Sequence, residues 1–437
     1  MTSTTGTTEP VASRRDVRTV IVSSLVGTTV EWYDFFLYST AAGLVFNKLF
    51  FPVADPATGS LLAFATFAVG FVARPLGGIL FGHIGDRVGR KRTLVATMII
   101  MGLSTFCIGL LPTYDQVGLL APALLVALRV LQGIAIGGEW GGAVLMAVEY
   151  APPNRRGLYG SWPQVGLAIG LALGTGLFGI LGAVLDDANF AAYGWRIGFF
   201  ASIALVAVGL VVRLKVYETP AFRRLRDLEG RARMPFMEML RDRRGRRNTG
   251  LGLLSRWAEG VAFNAWAVFS ISYTTETLHL AKSTILVAVT AAAVLLGVAL
   301  PFSGHLADRF GARRMFAIGS IVLAVLVVPA FAGLGTGRTW LVALVLLVGL
   351  GLAYPLMYGP QAILYASLFP TRVRYTGMSF VYQFSGVYAS GLTPLILTAL
   401  LAGAHGSPWT ACAYVVVAAV VSAVATLAIR KRDLFLT

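Results

Sequence analysis

Twelve stretches of twenty or more mostly apolar residues, separated by short charged or Pro/Gly-rich breaks, restrict this chain to one class of fold. Such a stretch is long enough to cross a bilayer as a helix, and in hydrocarbon the helix is the form that satisfies each backbone N–H and C=O within its own segment. The stretches run near 20–46, 60–84, 93–112, 118–147, 157–185 and 195–215, then near 249–276, 283–306, 315–334, 339–368, 373–402 and 409–429. Hydrophobic residues fill 57% of the 437 positions and charged ones 13%, with a mean hydropathy of +0.75, so no large soluble domain fits beside the spans. The expected fold is all-α and integral to the membrane, with kinks at Pro75, Pro163, Pro355 and Pro394. The first stretch follows Arg14, Arg15 and Arg18 but carries Glu31 and Asp34 and lacks a small-residue cleavage site, so it is read as span 1 rather than a leader.

A net charge of +16 invites a nucleic-acid reading, but that needs the positive residues on a folded, water-facing groove. Here they sort by loop. One set of connections and both tails hold Arg14, Arg15, Arg18, Arg87, Arg90, Lys91, Arg92, Arg155, Arg156, an Arg-rich linker, Arg309, Arg313, Arg314, Arg372, Arg374, Arg430, Lys431 and Arg432. The opposite loops hold Lys48, Arg196, Lys282 and Arg338. The positive-inside rule then places both termini and the linker in the cytoplasm, with the chain in the cell membrane and no nucleic acid as partner. Five regions are expected: a tail at 1–18, a six-helix half at 19–215, a linker at 216–247, a second six-helix half at 248–429 and a tail at 430–437. The linker reads as a solvated tether, with a surface helix on anionic lipid as the alternative. Cys107 and Cys412 lie in separate apolar spans and are read as packing residues, so neither disulfide, metal site nor cofactor is expected.

The two halves repeat. Residues 82–92 read GHIGDRVGRKR and residues 304–314 read GHLADRFGARR, an offset of 222 in a chain whose half-length is about 218. Six positions match, pairing Gly82 with Gly304, His83 with His305, Asp86 with Asp308, Arg87 with Arg309, Gly89 with Gly311 and Arg92 with Arg314. Each copy joins the second and third span of its half, so the halves are parallel repeats able to rock about a central site.

This repeated loop resembles the signature of the major facilitator superfamily. EWYDF at 31–35, RPLGG at 74–78, RVLQGIAIGGEWGG at 129–142, ETPAF at 218–222, RWAE at 256–259 and RVRYTGMSFVYQ at 372–383 further resemble the metabolite:proton symporter family, its shikimate-transporter group before its proline/betaine members. The resemblance implies a gate built from Gly82, Asp86, Arg87, Gly89, Arg90 and Lys91, with Asp86 facing the positive end of the helix 11 dipole. It implies a second copy at Asp308 and Arg309, latching less strongly because Ala312 replaces an arginine. His83 and His305 are read as packing residues.

Ionisable side chains deep in a span are costly and mark a site by default. Glu31 and Asp34, three apart, share one helix face. Two close carboxylates in a low-dielectric cavity do not both ionise easily, which suits a reversible proton carrier; permanent neutralisation by Arg74 or Arg129 is the bland alternative. Arg129, with Gln132 one turn on, matches the superfamily's helix 4 motif and offers a bidentate fork to a substrate anion or to one of those carboxylates. Glu139 is a second proton station or a partner of Arg74. Arg256 and Glu259 are placed to pair with each other at the expected cavity. Gly133, Gly137 and Gly141, and Gly166, Gly170 and Gly174, form small faces for close helix contact.

A proton-coupled, monomeric transporter of a small organic solute follows. No GxxxxGK[ST] loop supplies ATP and no HExxH, Ser/His/Asp or Cys constellation suggests an enzyme. GTGLFG at 174–179 matches a dinucleotide pattern, but no strand precedes it. The deep residues comprise four acids and three arginines. Protonating one carboxylate frees an arginine for a monoanion, and Trp32, Tyr33, Trp140, Trp257 and Trp266 offer rings to it or to a quaternary ammonium. A small hydroxylated or cyclic carboxylate is the expected substrate, with proline or glycine betaine as the alternative.

Overall fold

The structure is a computed structural model that describes residues 14–52, 56–219 and 234–436, and among these no strand occurs. Expectations for residues 1–13, for the linker over 220–233 and for the last three residues of ETPAF lie outside the described residues. Helices α1 to α6 are Asp16–Phe50, Pro56–Arg87, Arg90–Leu110, Leu120–Tyr150, Arg156–Val184 and Phe190–Leu214. Helices α8 to α12 are Lys282–Phe310, Ala312–Gly335, Thr339–Ser367, Arg374–Gly403 and Trp409–Ala428. These are the eleven described helices long and apolar enough to cross a membrane. The remaining span, α7, is assembled from Arg243–Ser255, Trp257–Asn264 and the wide turn Ala265–Phe269, continuing through Ser270–Ser272 and Tyr273–Thr277. It is broken into short pieces and diluted in hydropathy because it carries Arg256, Glu259 and Asn264 inward.

Of the four predicted kinks, two become breaks in the α-helical run. Pro355 and Pro394 each open a new helical piece, preceded by π turns at Leu347–Ala353 and Val387–Gly391. Proline has no N–H and its ring displaces the carbonyl four residues back, so the turn ahead widens to five-residue bonds, Tyr354 N–H to Gly349 O at 3.0 Å and Leu392 N–H to Val387 O at 2.9 Å. Pro75 and Pro163 instead lie within unbroken α2 and α5.

The halves meet along α2 against α11 and α5 against α8, with α4 and α5 also touching α10 and α11. Glycines paired by the repeat bring the backbones together: a Cβ on Gly82 would lie 2.7 Å from Thr376 Cα, and one on Gly304 would lie 2.5 Å from Gly157 O. Of the two expected small faces, Gly133 and Gly137 pack against α2 and Gly166, Gly170 and Gly174 against α1, while Gly141 faces Ser379 of α11 in the other half. Connections α2–α3 and α8–α9 lie on the face that also holds Arg14, Arg430 and the short linker helix Pro235–Arg241, which is called here the arginine-rich face.

Gly137→Leu is expected to prevent folding, because its Cβ would run into the Arg74 carbonyl, whereas Gly176→Ala meets nothing within 4 Å and should leave folding unchanged. Detergent-extracted yield of monodisperse protein checks both.

Candidate functional site

The arginine-rich face is closed by two carboxylates that each cap a helix of the opposite half. Asp86, at the end of α2, accepts bonds from Thr376 N at 2.9 Å, Thr376 Oγ1 at 2.9 Å and Tyr375 N at 3.3 Å, at the first turn of α11. There it meets the unsatisfied N–H groups and the positive end of the helix dipole, as the resemblance implied. Arg90 stands 3.5 Å from Asp86 and 3.7 Å from Glu149, and Arg374 donates to Glu149 at 3.1 Å, all buried. Asp308, at the end of α8, accepts from Gly157 N at 2.6 Å and Leu158 N at 2.8 Å, at the first turn of α5. Ala312 stands where the first copy has Arg90, so this cap consists of backbone donors alone. Gly89 begins α3 at φ +130°, a backbone that suits glycine. Glu218 caps the same helix by accepting from Arg90 N and Lys91 N at 3.1 and 3.2 Å. Arg87 and Arg309, expected in the gate, lie exposed instead: Arg87 Nη1 is 3.3 Å from His83 Nε2, and Arg309 lies over Phe310. Side chains one residue past an inward-facing aspartate point outward on a helix.

Deeper in the first half, Asp34 heads a chain of hydrogen bonds. Thr105 Oγ1 donates to Asp34 Oδ2 at 2.7 Å, Gln132 Nε2 donates to Thr105 Oγ1 at 2.6 Å, and Arg129 donates to Gln132 Oε1. The Arg129 guanidinium lies 3.7 Å over the Tyr38 ring, and Tyr38 hydroxyl is 2.6 Å from Thr66 Oγ1. Glu31 is buried one turn away in the field of Arg74 on one side and of Glu139 and Arg213 on the other. Asp34 Oδ1 and Glu31 Oε2 have no hydrogen-bond partner.

Glu139 is paired with Arg213 of α6, not with Arg74. The two make contacts of 2.5 and 3.0 Å, Thr97 Oγ1 donates to Glu139 at 2.7 Å, and Arg213 also donates to Leu94 O at 2.9 Å. Sequence reasoning missed Arg213 because it stands near the end of a span, where an arginine reads as a membrane-edge charge. Gly27 of α1 passes directly over this pair, where any Cβ would collide with Arg213.

Between the halves lies a cavity whose unfilled space, mouth included, is about 480 Å³. Its polar wall is Arg74, Arg256, Glu259, Asn264 and Gln383, and its apolar wall includes Trp32, Phe35, Phe71 and Phe263. Arg74 lies over the Phe71 ring at 4.1 Å. Arg256 pairs with Glu259 at 3.3 Å, as the spacing predicts, and Tyr354 hydroxyl donates to Glu259 Oε1 at 2.5 Å. Arg74 Nε, Arg256 Nε and Nη1, and Glu259 Oε2 have no hydrogen-bond partner. Arg129 and Gln132, expected beside the substrate, are not in this wall, because Tyr38 and Thr105 hold them within the first half. Tyr354 and Tyr382 enter the site from α10 and α11 without a sequence signal, since an aromatic in an apolar span reads equally as lipid-facing. Buried donors and acceptors left open on a cavity wall are where a polar ligand binds.

Comparison with known proteins agrees with this architecture. A family model described as sugar (and other) transporter matches residues 19–249, and the Major Facilitator Superfamily model matches residues 253–434. The inner membrane metabolite transport protein YhjE of Escherichia coli K12 is 42% identical over 89% of this chain and 88% of its own. The shikimate transporter of the same organism is 37% identical over 94% of both, and its proline/betaine transporter is 35% identical over 92% of this chain and 82% of its own. Among solved structures, the proton:xylose symporter XylE bound to 6-bromo-6-deoxy-D-glucose superposes with a TM-score of 0.77 at 16% identity, covering 94% of this chain and 95% of its own.

Arg213→Met is expected to destabilise the protein by about 3–5 kcal/mol, because it strands a buried carboxylate, and Glu139→Gln in the same chain should recover much of that loss. Thermal unfolding of both variants in detergent checks it.

Proposed function

Since the chain belongs to the major facilitator superfamily of transporters, we propose that it is a proton-coupled symporter that takes up a small organic carboxylate by alternating access. The observation that carries the proton part is the pair Glu31 and Asp34: both are buried, and each leaves an oxygen without a partner. A carboxylate already saturated by an arginine is poorly suited to reversible proton binding; one with an open oxygen beside a distant cation is able to exchange a proton at modest cost. Arg129, carried through Gln132 and Thr105, supports Asp34 when the proton has left. Glu139, bound by Arg213 and Thr97, serves as a fixed internal charge, so its place as a proton station passes to Glu31 and Asp34.

The solute site in this reading is the inter-half cavity. Arg74 and Arg256 present open N–H groups to a carboxylate, and Glu259 Oε2, ion-paired with Arg256 Nη2 at 3.3 Å but without a hydrogen bond, has acceptor capacity left for a hydroxyl or ammonium group. Trp32, Phe35, Phe71 and Phe263 receive the carbon skeleton. A hydroxylated carboxylate, cyclic or open-chain, offers a partner to each of these groups. A zwitterionic osmolyte is the second reading, favoured by the combination of Glu259 with a ring-lined wall, which also receives a cationic head.

The caps at Asp86 and Asp308 are made with the arginine-rich face closed. Taking that face as cytoplasmic, they hold the carrier open to the outside until loading favours their release. The chain acts as a monomer in the cell membrane, with a six-helix half at 19–215, another at 248–429, and the termini and linker inside.

Glu31→Gln and Asp34→Asn are each expected to abolish accumulation driven by a pH gradient while leaving solute exchange at equal pH measurable. Uptake and counterflow in proteoliposomes check this, and retained accumulation in both variants removes the two residues from the proton path. In the same vesicles, shikimate is expected to compete for uptake more strongly than glycine betaine, which has no hydrogen to give Glu259; the reverse order selects the osmolyte reading.

A further inference from the structure

Under the cavity, toward the arginine-rich face, three side chains form a sandwich across the two halves. The rings of Trp140 on α4 and Tyr382 on α11 stack with centroids 3.6 Å apart and planes 6° apart. The Arg256 guanidinium of α7 lies 3.9 Å from the Tyr382 centroid. Two groups that close to one ring centre do not fit on the same face, so Arg256 and Trp140 take opposite faces of Tyr382. Tyr382 and Arg256 line the cavity, and Trp140 lies wholly buried behind them.

Both halves hold the tryptophan. Its Nε1 donates to Gln164 Oε1 of α5 at 2.9 Å, and Gln164 Nε2 donates to the carbonyl of Tyr358 on α10 at 3.2 Å. Seven residues before Tyr382, Tyr375 N bonds Asp86 in the cap, while the Tyr375 hydroxyl reaches toward the cavity and donates to Gly138 O at 2.7 Å, two residues from Trp140. The sandwich therefore stands roughly 10 Å along α11 from that cap, with the Tyr375 side chain spanning the distance between the two levels.

We propose that the Trp140–Tyr382 stack is a thin gate that seals the solute cavity on this side, and that Arg256 sets its strength. The stack joins surfaces that separate when the halves rock, and it has no covalent or ionic link to resist that motion. Arg256 polarises the Tyr382 ring from the cavity side while two of its nitrogens, Nε and Nη1, lack hydrogen-bond partners. An anion that takes those nitrogens draws the guanidinium away from the ring, so loading the cavity loosens its floor. This coupling rests on the transport reading above, but the gate itself is testable with no solute present.

Ala362 supplies the reporter. It is buried on α10 one turn beyond Tyr358, toward the arginine-rich face, and it packs against Gly160 of α5. In a chain carrying Cys107→Ser, Cys412→Ala and Ala362→Cys, maleimide labelling is measured in inside-out vesicles without added solute. Trp140→Leu and Tyr382→Leu are each expected to raise the labelling rate roughly two- to tenfold, the effect of removing one ring stack from a two-state equilibrium. Trp140→Phe and Trp140→Leu both lose the bond to Gln164, so slower labelling of the phenylalanine variant, which keeps a ring against Tyr382, separates the stack from that bond and from a general loosening of the bundle. Equal labelling of the two overturns the stack as the seal. Arg256→Gln combined with Glu259→Gln should also label faster. Parent-rate labelling in both leucine variants overturns the gate, and parent-rate labelling in the double variant alone overturns the role of Arg256. Since the leucine variants sit on opposite halves, either one that folds carries the test. No outcome depends on which solute is carried or on proton coupling, so failure here is distinct from failure of the proposed function.

Discussion

A buried carboxylate resting on the first turn of a helix from the other half organises this molecule. Asp86 on α11 and Asp308 on α5 use the one location in a helical membrane protein where free backbone N–H groups gather and a dipole favours negative charge. Such a contact needs the helix end in register to within a fraction of a turn, and it disappears when the two halves separate. Gly82 and Gly304 one turn earlier let the backbones come close enough for the caps to form. The same pair of contacts thus sets the packing of α2 on α11 and of α8 on α5, and determines which face of the protein is shut.

The buried charges divide into two kinds. Glu139 with Arg213, and Glu149 with Arg90 and Arg374, are compensated in place and tie helices within a half or across the closed face. Arg74, Arg256, Glu259, Glu31 and Asp34 have a polar atom without a hydrogen-bond partner beside the cavity or on α1, but Glu149 Oε2 at the closed face has none either. An incompletely paired charge costs stability in a low-dielectric setting, so it is an open atom together with a place at the cavity or on α1 that marks the residues proposed to work.

Hydropathy made the fold legible: eleven spans are long, apolar helices, and only α7, loaded with Arg256, Glu259 and Asn264, falls below that mark. The pairing of Arg256 with Glu259 was readable from spacing, because three residues along a helix fixes the distance. Glu139 was not readable, because its partner comes from α6, and only tertiary packing brings Arg213 onto it. Arg129 shows the same limit from the other side. Its motif located it at mid-depth, but its direction depends on Tyr38, Gln132 and Thr105, supplied by α1, α4 and α3. Tyr382 and Trp140 carry no pattern that distinguishes a gate ring from an ordinary core ring until both helices are in place.

The wide turns ahead of Pro355 and Pro394 make the two halves unequal as mechanical bodies. Helices α4 and α5 run as uninterrupted α-helix past the centre of the protein, while their counterparts α10 and α11 each replace part of the ladder with looser five-residue bonds. A rod with a missing rung bends there before it bends anywhere else. Among the helices that face each other across the cavity, bending is therefore expected to fall on α10 and α11 before α4.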